Sequence, residues 1–265
     1  MLKARTQCLI PKPVLISKMN RMATITNTLS ASSTANMSDA SMLRLLQLSS
    51  ATLPVGGYAF SHGLEWAVDA QWLSTSDDVI DWLAVQLTES VATLDLPILH
   101  RQCLALDQQA INTLVEWNHY ILACRESYEL RLTDTALADA MIRLLNGLSI
   151  GGDCLATFNK TINQPHQTSF VTAFAIAANH WRIPAHQAAL GYAWAWLENQ
   201  IAAATKLTLF GQLTAQNALD VLIPVAEDAV NKSLFISDDA IGTSLPGLAM
   251  ASSHHETQYS RLFRS

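Results

Sequence analysis

The sequence predicts an all-α protein, a single compact domain built as a bundle of many helices. Ala, Leu and Gln, which favour helices, are abundant, whereas the 265 residues include only 10 Gly and 8 Pro. Apolar residues recur at three- and four-residue spacing, and no run sustains the alternation of a half-buried strand. Because no Gly/Pro/Ser-rich linker and no fixed repeat divides this pattern, we predict one helical domain over residues 42–252.

The first helices are predicted from apolar spacing and from the residues that end or begin a helix. An apolar segment that starts near Leu43 stops before residues 54–57 (PVGG), where proline and two glycines favour a turn. A second helix is expected from about Ser61. Thr75, followed by Ser and two Asp, has the pattern of a helix N-cap with acidic residues in the first turn.

Two helices are predicted in the middle of the chain, and the first of them carries a charged cluster. One amphipathic helix is expected over 111–132 and a shorter one over 137–145, which ends at an Asn-Gly pair. Residues 125–131 (RESYELR) lie inside the first of these, so Arg125 and Glu129 would be one turn apart and able to pair. Two interpretations stay open for this cluster: a solvated helix face or a partner-recognition surface.

The second half of the chain repeats the helical pattern. Residues 170–197 predict a buried hairpin of two helices, with Pro184 at the first helical position of the second helix. Gln212 and Gln216 are one turn apart and would share a face of a further helix. One more helix is expected after Pro224, followed by a loose run into the C-terminal tail.

The composition indicates a protein that buries much of its surface against other proteins. Half of the residues are hydrophobic and 14% are charged, compared with about 25% in typical domains. We therefore expect an oligomer or an obligate member of a complex. The net charge of −6 argues against a nucleic-acid-binding protein, and no run of about 18 apolar residues predicts a membrane span. Widely spaced free thiols are predicted at the four cysteines: Cys8, Cys103, Cys124 and Cys154.

The N-terminal residues, 1–41, differ from the rest of the chain. They are cationic, become rich in Ser and Thr, and contain no acidic residue before Asp39. This composition imitates an organelle transit peptide, but Met19, Met22 and Met37 are alternative starts. We interpret residues 1–41 as a disordered leader or an over-extended start rather than as a targeting signal.

The last residues, 253–265, predict a docking peptide. They are too few and too polar to build a core, and a terminus of this kind would ordinarily fray. Arg261 and Arg264, however, flank Leu262 and Phe263, so that cationic groups are presented together with apolar anchors. We therefore expect this tail to dock on another protein.

The sequence contains no clear motif for catalysis or for metal binding. The glycine pairs at 56–57 and 151–152 lack the Gly-Lys-Ser/Thr ending of a phosphate-binding loop and are predicted to be turns. Residues 254–256 (HHE) offer imidazole and carboxylate groups, but adjacent histidines on a flexible tail rarely form a preformed metal site. We predict no catalytic residue, cofactor or metal site. Four other histidines considered as metal ligands do not form a cluster in the sequence: His62, His166, His180 and His186.

Several blocks resemble the urease accessory protein F (UreF) family, in the order in which that family has them. Together they cover the chain from about Met42 to its last residue, and their combination is specific although each alone is weak. The blocks are residues 45–48 (LLQL), 53–58 (LPVGGY), 61–65 (SHGLE), 125–131 (RESYELR), 210–212 (FGQ) with Gln216, and 255–265 (HETQYSRLFRS). One departure is Ala136, where relatives are expected to have a small Met-Gly step nearby.

The resemblance implies an all-helical, dimeric, cytoplasmic protein without catalytic activity. It implies a scaffold that bridges a second accessory protein (UreD, or UreH) and the GTPase UreG, and that regulates GTP-dependent nickel insertion into apo-urease. Alternatives are a generic helical adaptor unrelated to nickel and a metal-dependent enzyme that uses dispersed His and Glu residues.

The resemblance also implies which residues contact partners. In the tail these are His255, Glu256, Tyr259, Arg261, Leu262, Phe263 and Arg264. In the body they are Pro54, Gly56, Gly57, Arg125, Glu129, Arg131, Gln212 and Gln216.

Overall fold

The computed structural model describes residues 37–162, 166–242 and 244–264, which form helices and loops with no β-strand among them. The all-α prediction is therefore confirmed. The helices are α1 Asp39–Leu48, α2 Leu64–Asp69, α3 Ser76–Gln86, α4 Leu96–Asp107, α5 Ile111–Ala123, α6 Tyr128–Gly147, α7 Gly152–Ile162, α8 Phe170–His180, α9 Ala185–Lys206, α10 Gln212–Ser233 and α11 Pro246–His255. Among the helices in these ranges, none combines the length and the apolar character that a membrane span requires.

Helix α8 lies at the centre of the fold. Every residue from Val171 to Ala178 is buried, and α4, α5, α6 and α9 pack around the helix. A helix that is apolar on all sides requires such an environment. The predicted hairpin over 170–197 is confirmed as α8 and α9, although Pro184 is the N-cap of α9 and not its first residue.

Helix α1 begins before the predicted domain start. Ser38 is its N-cap and accepts a hydrogen bond from the backbone N–H of Ser41, so the helix begins at Asp39. Most of the predicted leader, residues 1–41, lies outside the described residues. Helix α1 packs on α9 at Gly191, where an added Cβ would lie 2.4 Å from Leu45 Cδ1. A larger residue at position 191 would force the Leu45 side chain to move, so the close approach of the two helices favours glycine.

Helices α3 and α4 are joined without a break by a π-helical stretch, Leu87–Asp95. The start of α3 is the predicted cap, because the Thr75 hydroxyl and the Asp78 carboxylate form a capping box. π-Helical turns are rare in proteins, and those that occur are often found at functional sites. Here the stretch ends at Asp95, an acidic residue that is buried in the interior.

The predicted helix over 111–132 is wrong, because a loop at residues 124–127 divides it. Helix α5 ends at Ala123, and α6 begins at Tyr128, where the Ser127 hydroxyl accepts from the Leu130 N–H as an N-cap. Serine side chains compete with helical hydrogen bonds in this way. The shorter helix predicted over 137–145 is the second half of α6, which ends at the Asn-Gly pair as expected.

Helix α10 continues through Pro224, where the sequence predicts a helix boundary. Pro224 is exposed, so the carbonyl group that loses its hydrogen bond four residues earlier can be solvated. Leu222, Ala226 and Val230 lie on the opposite, buried side of the helix. Burial of these apolar side chains stabilises a single long helix despite the proline.

Helix α11 connects the body to the tail and packs against α2 and α6. Gly63 precedes α2 with a φ of 77°, and an added Cβ there would lie 3.0 Å from the Ser252 backbone nitrogen. Both the left-handed conformation and the close contact favour glycine at this position. The predicted tail, 253–265, therefore begins inside a packed helix, since α11 extends to His255.

Candidate functional site

A buried arginine forms the centre of a polar cluster in the interior, the arginine cluster of Asp95, Arg125, Asp134 and Tyr192. Arg125 Nη2 donates to Asp95 Oδ1 at 2.7 Å, and Arg125 Nε donates to Asp134 Oδ2 at 2.8 Å. The Tyr192 hydroxyl donates to Asp95 Oδ1 at 2.9 Å. The side chains are almost completely buried, with exposed fractions of 14%, 6% and 5% for Arg125, Asp95 and Asp134.

Four separate elements supply this cluster. Asp95 ends the π-helical stretch, Arg125 lies in the loop between α5 and α6, Asp134 lies in α6, and Tyr192 in α9. Asp134 also accepts from the Phe170 N–H, which attaches the start of α8 to α6. Burial opposes the Arg125 charge, but the Asp134 and Asp95 carboxylates hold its pKa well above the usual value. The cluster is therefore an electrostatic link among these elements.

A cavity of about 100 Å³ lies beside the arginine cluster. It is lined by residues of α1, α3, α6 and α9 and by the loop at residues 54–57. Burial, with a contribution from the Arg125 charge, lowers the pKa of His62 to about 4, so this lining imidazole is neutral at pH 7. Gln86 Nε2 and both polar atoms of the Gln200 amide also belong to lining residues and have no hydrogen-bond partner among the described residues. A volume of this size holds several water molecules, which would satisfy such groups.

The arginine cluster corrects a predicted contact. Arg125 does not pair with Glu129, because the loop at 124–127 places the two residues in different elements. Arg125 pairs with Asp95 and Asp134, and Glu129 pairs with His255 instead. Because the Arg125 guanidinium is occupied by two carboxylates, its chemistry favours structural positioning over binding of an external anion.

A second buried group, the glutamate–histidine bridge, consists of Glu65, Glu129 and His255. His255 Nδ1 lies 2.8 Å from Glu129 Oε2, and His255 Nε2 lies 2.9 Å from Glu65 Oε2. The exposed fractions of the three side chains are 0% for His255, 6% for Glu65 and 3% for Glu129. Burial lowers the pKa of His255, but the hydrogen bonds to Glu129 and Glu65 outweigh burial and raise it above the usual value. The bridge joins α2, α6 and the end of α11.

The same bridge holds the C-terminal tail against the body. Glu65 Oε1 accepts from the Leu262 N–H at 2.6 Å, and Glu65 Oε2 accepts from the Phe263 N–H at 2.9 Å. The Arg264 N–H donates to the Ala59 carbonyl at 2.8 Å. Lys206 Nζ donates to the Leu262 carbonyl at 2.9 Å and lies 4.0 Å from the centre of the Phe263 ring. The tail is therefore anchored through its backbone and through Phe263.

The tail residues divide into buried and exposed groups. His255 and Phe263 are buried, and Glu256 Oε1 accepts from the Glu129 N–H. The predicted partner-contact residues that remain exposed are Tyr259, Arg261, Leu262 and Arg264. The Leu262 side chain is 61% exposed although its backbone is bound to Glu65. The structure thus separates side chains that fix the tail from side chains that face outwards.

The remaining predicted site residues lie in three places. Pro54 is exposed in the turn, Gly56 has φ 78°, and Gly57 lies so close to the Asn199 side chain that an added Cβ would be 2.8 Å from its Nδ2. Arg131 donates to the Leu122 carbonyl and to Gln167 Oε1, which connects α6 to α5. Gln212 and Gln216 are exposed at the start of α10 and do not line the cavity.

The acidic partners in the two buried clusters, Glu65, Asp95 and Asp134, were not among the site residues predicted from the sequence. Each pairs with a residue at a distance along the chain, for example Glu65 with His255, 190 positions away. One signal was present for Asp95, since it interrupts an apolar run and a buried carboxylate needs a partner. Within the described ranges, no group of three or more His, Cys, Asp or Glu residues is arranged to hold a metal ion.

Comparison with known proteins identifies the family. The UreF family model matches residues 73–222, more than half of the chain. A urease accessory protein UreF from Marinomonas sp. (strain MWYL1) is 50% identical over 228 residues, which cover 86% of this chain and 95% of the relative. Proteins of the same name from a Pseudomonas putida strain and from Hahella chejuensis are 42% and 40% identical, and the matches cover 99% and 98% of those relatives. The chain belongs to the UreF family of urease accessory proteins.

Proposed function

We propose that this chain is a non-catalytic scaffold of urease maturation in the cytoplasm. It bridges the accessory protein UreD/UreH and the GTPase UreG, and regulates the GTP-dependent insertion of nickel into apo-urease. The observation that supports this role best is the anchored tail, whose backbone is fixed by Glu65 while its side chains face outwards. A peptide held in one conformation loses less entropy on binding than a free one, which suits a recognition segment.

The tail and the neighbouring turn form one exposed surface, the tail surface, made of Tyr58, Tyr259, Arg261, Leu262 and Arg264. The Ala59 carbonyl binds the Arg264 N–H, which brings the turn and the tail together. Tyr58 is 68% exposed, and Tyr259 and Leu262 are also exposed. Aromatic and arginine side chains dominate the binding energy of protein interfaces. We therefore assign the tail surface to docking of UreD/UreH, an interface of cationic and apolar character.

Other exposed apolar groups support further protein contacts. Leu213 is 75% exposed between Gln212 and Gln216 at the start of α10, and Leu43 and Leu46 are 67% and 61% exposed on α1. In a chain with few charges, such side chains are suited to burial in an assembly. We propose that Gln212 and Gln216 belong to a partner contact and that the chain forms a homodimer.

A double substitution tests the docking of UreD/UreH on the tail surface. Arg261→Glu together with Leu262→Asp reverses one charge and removes one apolar anchor, while the Leu262 backbone contact to Glu65 is kept. We expect capture of UreD/UreH to weaken about tenfold or more, as for interface residues that contribute above 1 kcal/mol each. Affinity is measured by titration of purified UreD/UreH with the full chain.

The matched control is Arg143→Glu with Leu148→Asp, an exposed arginine and leucine near the end of α6. This pair makes the same chemical change on another face and should leave capture unchanged. Equal affinity of the tail variant and the wild type would remove the tail surface from the interface.

A further inference from the structure

The geometry of the glutamate–histidine bridge requires one more proton than a neutral imidazole supplies. Both ring nitrogens of His255 lie within 2.9 Å of a carboxylate oxygen. A neutral imidazole donates through one nitrogen only, so its other lone pair would face a carboxylate lone pair. The observed arrangement therefore needs one additional proton within the bridge.

The charges around His255 come from every element that packs at this point. Glu65 of α2 and Glu129 of α6 contact the imidazole directly. Glu256, the next residue after His255, accepts a hydrogen bond from the Glu129 N–H. His254, on the preceding position, stacks on Trp66 with ring centres 4.6 Å apart. Lys206, a cation beside the tail, is occupied by the Leu262 carbonyl and the Phe263 ring. The surroundings are thus predominantly anionic, which favours retention of the extra proton.

Loss of this proton affects the tail through Glu65. Glu65 Oε2 is shared between His255 Nε2 and the Phe263 N–H, and Glu65 Oε1 binds the Leu262 N–H. Once the proton is lost, one of the two His255 contacts becomes a repulsive pair of lone pairs. Either Glu65 moves away from the tail amides or the end of α11, from which the tail extends, separates from α6.

We propose that the glutamate–histidine bridge is a proton-dependent lock that holds residues 259–264 on the body and releases them when the shared proton is lost. The inference that release changes binding of UreD/UreH rests on the proposed function, whereas the lock itself does not. The lock should hold at low pH and open at high pH, because the pKa of His255 is raised in the folded chain. The added stability is complete below the ordinary histidine pKa of about 6.5, and is lost as pH rises through the higher folded value.

Hydrogen exchange of the Leu262 and Phe263 amides in the full chain tests this lock. Their protection factors, corrected for the intrinsic pH dependence of exchange, are measured by NMR from about pH 6, below the ordinary histidine pKa, up to about pH 9. We expect protection to fall about tenfold or more with rising pH, the effect of losing a hydrogen bond to a charged group. Constant protection over this range would overturn the proposal.

Two variants make the test specific. In Glu129→Gln the amide can donate to His255 Nδ1 while Nε2–H donates to Glu65, so a neutral imidazole completes the bridge. Its tail amides should stay protected at every pH. In His254→Gln the adjacent exposed histidine is removed, and the pH dependence of the wild type should persist. A Glu129→Gln profile that follows the wild type would overturn the lock.

Binding of UreD/UreH is then measured with the wild type and with Glu129→Gln at both ends of the pH range. A pH-dependent affinity in the wild type that is absent in Glu129→Gln supports the coupling of release to docking. Unchanged binding, together with pH-dependent exchange, overturns that coupling and leaves the lock supported. The exchange measurement uses no partner, so it distinguishes failure of the lock from failure of the proposed function.

Discussion

Replacement of Arg125 by alanine is expected to lower the free energy of unfolding by about 3–5 kcal/mol, the effect of removing one partner from a buried ion pair. The change leaves the Asp95 and Asp134 carboxylates buried without their cation, and it removes the connection between the α5–α6 loop, the π-helical stretch and α6. Domain stabilities are typically about 5–15 kcal/mol, so this variant should lie close to unfolding. Chemical denaturation followed by circular dichroism measures the loss.

Companion variants show whether the loss comes from the arginine cluster. Arg143→Ala removes an exposed arginine of α6 and should change stability by less than about 0.5 kcal/mol. Addition of Asp95→Asn to Arg125→Ala removes one uncompensated charge and should recover part of the stability. A loss in Arg125→Ala no larger than in Arg143→Ala would contradict the assigned role.

Glu65→Ala is expected to release the C-terminal tail and to lower the free energy of unfolding by about 3 kcal/mol, since it breaks a buried charged pair. Glu65 binds His255 and two tail amides, and its side chain is 6% exposed. Without Glu65, the Leu262 and Phe263 amides lose their acceptor and the Phe263 ring loses its backbone anchor. Tail release is measured by tryptic cleavage at Arg261, followed by intact mass spectrometry, and stability by denaturation.

The control for this variant is Glu116→Ala, which removes an exposed glutamate of α5. It should be cut at Arg261 at the wild-type rate and keep wild-type stability. Slow cleavage of Glu65→Ala, equal to that of this control, would mean that the tail is held by contacts other than the bridge.

The parts of the fold that the sequence predicts are those decided by local chemistry. The Thr75 cap and the apolar faces of α8 and α9 depend on residues a few positions apart, and both predictions are confirmed. The break at residues 124–127 combines the local Ser127 cap with contacts that local spacing does not reveal, because Arg125 binds Asp134 and, 30 positions away, Asp95. Pro224 is the reverse case, where burial of one side of α10 outweighs a local signal to stop.

The candidate site could be predicted only in part for the same reason. Arg125, Glu129 and His255 stand out because charged and polar groups are few in this chain. Their partners cannot be paired from spacing, since the fold brings Glu65 to His255 across 190 positions. Composition also cannot distinguish Phe263, which is buried, from Tyr259, which is exposed, although both belong to the same short tail.

We propose that the chain connects UreD/UreH with UreG. The most direct measurement is co-purification on tagged UreG from mixtures of the three purified proteins, with and without this chain. We expect UreD/UreH to be retained only when the chain is present, and the Arg261→Glu/Leu262→Asp variant to retain UreG but lose UreD/UreH. Retention of UreD/UreH by UreG to the same extent without the chain would contradict the bridging function.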